Sequence, residues 1–134
     1  MTDLAIRARI YEELLQTGRA PAAAELEDRD ALQRLAAGRV LVLDDAGEIL
    51  MAPPFSAVPT PFLVHTPQMR AFANCIWDGL GVAAMARTDA RVETSCGDCG
   101  ARMDVDVIDG AVRGDGVMHF AIPARMWWQD IVFT

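Results

Sequence analysis

The chain has 134 residues, a net charge of -7, a 52% hydrophobic content and twelve basic residues that are all arginine. That is enough chain for one ordinary domain with a real core, and the acidic balance disfavours non-specific nucleic-acid binding. Its apolar runs are too short to span a bilayer and Asp3 and Arg7 interrupt any signal-peptide pattern, so a cytoplasmic protein with no membrane partner is expected.

Thr2 or Asp3 can cap a first helix with Leu4, Ala8, Tyr11 and Leu15 on one face and Gly18 at its end. Pro21 opens a short second helix, Ala22 to Leu26. Asp28 caps a third, with Leu32 and Leu35 inward and Gly38 as its stop. Val40–Leu43 and Glu48–Met51 flank Asp44-Asp45-Ala46-Gly47 as a hairpin. Three helices and a hairpin outline a winged-helix-like subdomain over residues 1–52. The prolines of the next stretch argue against a regular helix or central strand, so residues 53–65 read as an ordered connector. Residues 66–134 then form a core: a helix from Thr66-Pro67 to about Leu80, strands over Arg91–Ser95 and Ala101–Ile108, a third strand over Val117–Ile122, and a short helix after Pro123. Trp127, Trp128 and Phe133 read as core or interface residues.

Chemistry concentrates in a few places. Cys75 and Asp78, three apart on a helix, share one face. A thiolate can capture a soft metal while a neighbouring carboxyl relays a proton. Such a cysteine is expected to have a lowered pKa or ready reactivity and to lie at a pocket floor between helix and sheet. Three cysteines are an odd number and argue against a secreted disulfide framework. Cys96-x-x-Cys99 is half of a structural zinc site, and a pair of buried thiols or a redox pair explains it equally well. His119, in the apolar run Val117–Ile122, reads as a packed core histidine, and His65 reads as structural. An acidic surface around Arg29–Leu35 weighs against a DNA-binding winged helix.

The segments Phe72–Asp78, Arg87–Cys96 and Met118-His119-Phe120, with Trp127-Trp128, together resemble the alkylmercury (organomercurial) lyase family over most of residues 58–130. The resemblance implies an α/β fold, a winged-helix-like subdomain before a small mixed-sheet core, and protonolytic cleavage of a carbon–mercury bond. By this resemblance Cys75 matches the metal-capturing cysteine, Asp78 the proton-handling aspartate and Cys96 a further, mainly structural cysteine. The family's second catalytic cysteine has no counterpart here: Val112–Val117 contains none, and Asp115 stands nearest. The second thiolate would then come from Cys96, Cys99 or an external thiol. Trp77, Asp115 and His119 are expected as neighbours of the site. No cofactor is required. Mercury(II) is the substrate and product ion, a small organometallic compound the substrate, and cellular thiols the acceptors, while zinc or copper at Cys96 and Cys99 is a further expectation. Two other functions stay open at this point: a non-enzymatic thiolate metal-binding protein, and a winged-helix regulator responsive to metal or thiol state.

Overall fold

The computed structural model describes residues 1–132; Phe133 lies outside the described residues. The first helix, α1 (Asp3–Thr17), starts where Thr2 Oγ1 accepts the Ala5 N–H at 3.2 Å and stops where Gly18 turns left-handed at φ 75°. Its buried stripe is Ile6, Ile10 and Leu14, whereas Leu4 is 73% exposed. The expected stripe is thus rotated. Both stripes have helical spacing, and the one that carries no tyrosine hydroxyl wins the interior. Helix α2 (Ala23–Leu26) and helix α3 (Arg29–Ala37) follow, α3 being capped by Asp28 on the Ala31 N–H with Leu32 and Leu35 inward.

Strands β1 (Val42–Leu43) and β2 (Ile49–Ala52) form the expected hairpin. Asp44 Oδ1 accepts the N–H groups of Ala46 and Glu48, both at 2.9 Å, which fixes the turn. The hairpin continues into one eight-stranded, wholly antiparallel sheet in the order β1-β2-β3-β5-β4-β6-β7-β8. The other members are β3 (Phe55–Ser56), β4 (Leu63–His65), β5 (Arg70–Ala73), β6 (Ala90–Ser95), β7 (Arg102–Ile108) and β8 (Ala111–Arg113).

Three local expectations fail. The proline-rich stretch does supply an interior strand: β3 pairs with β2 on one side and β5 on the other. Phe55 and Ser56 keep their N–H groups, and the prolines bracket the two-residue strand without entering it. No helix begins at Thr66. Its Oγ1 instead accepts the N–H groups of Gln68 and Met69 in a tight turn. Beyond it Met69, Ala71 and Ala73 are buried while Arg70 is exposed, which is strand alternation. Helix α4 therefore starts late, at Ile76, and runs to Ala86. Finally, residues 117–122 form no strand. Gly114 and Gly116, at φ 152° and 130°, interrupt the pairing after β8, and Val117 is 95% exposed.

One apolar cluster runs from Ile6 through Phe55, Val64 and Val82 to Val107, joining helices and sheet. Fully burying a side chain such as Phe55 or Val64 stabilises by about 1.5–3 kcal/mol. Helix α4 lies hard against the sheet because Gly79 has no side chain: a Cβ there would meet Val92 Cγ1 at 3.1 Å. An alanine at 79 would require the Val92 side chain or α4, which carries Cys75 and Asp78, to give by a few tenths of an ångström. Among the described residues no helix is long and apolar enough to cross a membrane.

Candidate functional site

The late start of α4 changes the meaning of the Cys75–Asp78 spacing. Cys75 is the N-cap and Asp78 the third helical residue, so the two lie at the positions a capping box uses. Cys75 Sγ accepts the Asp78 N–H at 3.4 Å, and the Trp77 N–H also faces it. Cys75 has extended backbone and so leaves β5 as a strand residue and enters the helix as its cap. The thiol is half-buried, and burial pushes its pKa up; the two N–H groups pull the other way, and the Asp78 charge adds to the rise. The expected lowering is therefore overturned, because desolvation outweighs the helix N-terminus.

Asp78 is half-buried too, and its pKa is raised, again chiefly by burial, against a lowering by Asn74. Asn74 is the structural hinge of the site. Its Nδ2 donates to Asp78 Oδ2 at 3.1 Å, to the Phe55 carbonyl at 3.1 Å and to the Pro54 carbonyl at 3.3 Å. One amide thus ties the carboxylate to the β2–β3 turn. That turn is held from the other side by Tyr11 of α1, whose hydroxyl donates to the Pro53 carbonyl at 2.8 Å and whose ring lies 6.3 Å from that of Phe55. Burial raises the Tyr11 pKa, with Arg7 opposing and the Asp78 charge adding to the rise. Tyr11 and Asp78 are therefore electrostatic neighbours, across nearly 70 residues of sequence.

Trp77 is 54% exposed on the first turn of α4 and meets Phe120 edge-on at 6.3 Å. Phe120 stacks on Trp127 at 5.8 Å, and Trp127 Nε1 donates to the Ile122 carbonyl at 2.8 Å. This aromatic row fastens the segment after β8, including the 3-10 helix Ala124–Gln129, beside the start of α4.

The remaining candidates do not join Cys75 and Asp78 in one cluster. Asp115 and His119 are both exposed, and His119 is not the packed core histidine expected, since its segment is no strand. Cys96 and Cys99 lie in the β6–β7 turn, both reduced. There the Cys96 sulfur is faced by the N–H groups of Cys99 and Asp98 and by the Cys99 thiol, which lower its pKa. The lowering expected at Cys75 is thus found at Cys96 instead. The ends of β5 and β6 do fall at the same edge of the sheet, because β4 runs antiparallel to both, two strand spacings apart, about 10 Å. Among the described residues no group of three or more His, Cys, Asp or Glu side chains is arranged to hold a metal ion. A cavity of about 720 Å³ between Gly18–Ala22 and strands β3 and β5, edged by Arg19, Glu48 and Arg70, has no cysteine in its lining.

The sequence left Asn74, Tyr11 and the pairing of Trp77 with Phe120 unassigned. For Asn74 there was a signal: an Asn-Cys-x-x-Asp string directly after an alternating strand is a helix-start pattern. For Tyr11 and Phe120 there was none, since both contacts are long-range.

Comparison with known proteins bears on this geometry. The chain matches no curated protein. A solved structure described as the mercury-bound form of MerB2 superposes with a TM-score of 0.67 at 20% identity, covering 83% of this chain and 58% of that one. At that identity the likeness speaks for the fold, and the chain spans less than two thirds of its neighbour. The family profile described as alkylmercury lyase matches residues 55–134, from the first residue of β3 through the aromatic row. The chain belongs to the alkylmercury lyase family.

Proposed function

We propose that the protein cleaves the carbon–mercury bond of an organomercurial by protonolysis, with Cys75 capturing the metal and Asp78 delivering the proton. The observation that carries this reading is the half-buried thiol–carboxyl pair at the start of α4, with Asn74 holding the carboxylate. In this reading residues 66–134 are the catalytic core. Residues 1–52, winged-helix-like in outline, brace it through Tyr11.

The chemistry follows from the groups present. The substrate arrives as R–Hg–SR′, carried by an external thiol. The Cys75 sulfur displaces that thiol, giving Cys75–S–Hg–R, and R′SH leaves with the Cys75 proton. Mercury is soft and favours thiolate sulfur over oxygen donors. Asp78, whose protonated form burial favours, is suited to give its proton to the carbon. The carbon–mercury bond breaks and R–H departs. A thiol then supplies the second sulfur and returns its proton to Asp78, leaving Cys75–S–Hg–SR′. Because no cysteine lies in Val112–Val117, an external thiol is assigned this last role.

The test is incubation with an organomercurial and excess thiol, scored for the protonated hydrocarbon. The native protein should release it catalytically, and Cys75→Ala should lose at least about a thousandfold in rate, as when a nucleophile is removed. Release by Cys75→Ala at the native rate would overturn the assignment.

A further inference from the structure

We propose that the turn Cys96-Gly97-Asp98-Cys99 is a second metal site, an open dithiol that takes a soft, two-coordinate ion such as mercury(II). Its role in turnover rests on the reading above: it would relieve Cys75 of the product ion. The binding itself does not depend on that reading.

Four observations carry it. The turn is rigidly framed, since the Cys96 N–H donates to the Ala101 carbonyl at 2.7 Å and the Gly100 N–H to the Cys96 carbonyl at 2.9 Å. Gly100, at φ 74°, makes that reversal without strain. The two cysteines share one tight turn, closed by the Gly100 N–H on the Cys96 carbonyl, and both are reduced. The turn is also uncovered: a Cβ built on Gly97 or Gly100 would meet no atom within 4 Å. A bulky thiol carrier could therefore reach it. Lastly, no third donor completes the set among the described residues. Two sulfurs are half of what structural zinc uses. They suit a soft ion that thiolates select and that is content with two ligands.

The turn also sits at the sheet edge where β5 hands over to Cys75. Transfer needs no redox partner. Cys75–S–Hg–SR′ exchanges with the two thiols of the turn, mercury ends between Cys96 and Cys99, and their two protons leave on Cys75 and R′SH. Each sulfur–metal bond broken is replaced by one formed.

The experiment uses the full chain and mercury(II) chloride alone, with no organomercurial. Cys75→Ala, whose only thiols are Cys96 and Cys99, is loaded, challenged with excess monothiol, and assayed for bound mercury and for alkylation by mass spectrometry. We expect one ion per chain to survive and both cysteines to be protected. Adding Cys99→Ser, at an exposed turn position, should weaken retention by at least about tenfold, because the second sulfur no longer acts at high effective concentration. Cys96 should then alkylate. If Cys75→Ala retains no mercury, or if adding Cys99→Ser changes nothing, the site does not exist. Either failure leaves hydrocarbon release by the native protein untouched, so the two readings fail separately.

Discussion

The two thiol regions of this molecule are built in opposite ways. Cys75 and Asp78 are half-buried and hydrogen-bonded to each other at the start of α4, with Asp78 also held by Asn74, which in turn donates to the β2–β3 turn that Tyr11 of α1 braces. Cys96 and Cys99 sit in a hairpin turn with empty space around its glycines. Burial raises the Cys75 thiol, while local N–H groups lower that of Cys96. The contrast separates two tasks that one chemical group could perform. An open dithiol turn exchanges ligands readily but does nothing to organise a proton transfer. A half-buried thiol ionises less readily, but it is held beside a carboxyl whose protonated form burial favours, and breaking a metal–carbon bond needs a proton.

The contrast breaks most directly at Asp78. Replacing it by Asn keeps an acceptor for Asn74 Nδ2 but removes the proton. Hydrocarbon release should fall on the order of a hundredfold to ten-thousandfold, while mercury(II) retention at Cys96 and Cys99 stays as it was. Equal loss of both would mean that the two regions are one site. The same variant has a pH signature. The folded-state pKa of Asp78 lies above its ordinary value, so the folded chain binds this proton more tightly than the unfolded chain does. Below the ordinary aspartate range the group has no destabilising effect. As pH rises through the window between the ordinary and the raised value, the ionised, half-buried carboxylate costs stability, and above it the full cost stands. Asp78→Asn should therefore melt higher than the native chain above that window. That advantage should vanish in acid, as checked by thermal melts across pH.

Asn74→Ala probes the positioning of the carboxylate without touching the thiol. The Phe55 carbonyl loses the side-chain donor, whereas the Pro54 carbonyl keeps the backbone N–H of residue 74 at 3.4 Å; losing such a hydrogen bond costs about 0.5–1.5 kcal/mol. Asp78 loses its orienting partner, so turnover should drop by about tenfold or more through kcat, with KM little changed. Asn74→Gln, one methylene longer, should not restore it. A change confined to KM would make Asn74 a substrate contact instead.

Much of this architecture was legible in the sequence, and the reasons differ by element. Caps and stops were clear at Thr2, Gly18, Asp28 and Gly38, because each is a local side-chain or φ requirement. The β1–β2 and β6–β7 hairpins were clear from their turns. The segment 66–80 misled because Thr66-Pro67 mimics a helix start, while the strand Arg70–Ala73 is only one alternation long. That error kept Cys75 and Asp78 paired but hid the N-cap. It also hid Asn74, which becomes visible only once Cys75 stands at a strand-to-helix junction. The run Val117–Ile122 has strand composition, yet the glycines before it leave no partner edge. Thiol acidity was misjudged because spacing reveals neighbours but not desolvation. Burial sets the sign at Cys75, and burial belongs to the tertiary fold.

The smallest effect is expected at Phe120, and it sharpens the contrast from the outside. Its ring bridges Trp77 at 6.3 Å and Trp127 at 5.8 Å, so it links α4 to a segment that otherwise has little buried surface. Aromatic pairs of this kind add about 0.5–1.5 kcal/mol each beyond area burial. Phe120 is itself 46% exposed, which places its loss at the lower end of that range. Phe120→Ala should leave global melting almost unchanged, because the core from Ile6 to Val107 does not include it. The segment around Ala124–Gln129 should loosen locally. Arg125, exposed in that 3-10 helix, should then be cut by trypsin several times faster than in the native chain. Alkylation of Cys96 and Cys99 should not change, since their turn is held by its own hairpin hydrogen bonds. Faster alkylation there after Phe120→Ala would show that the aromatic row braces both thiol regions, and the division between them would have to be redrawn.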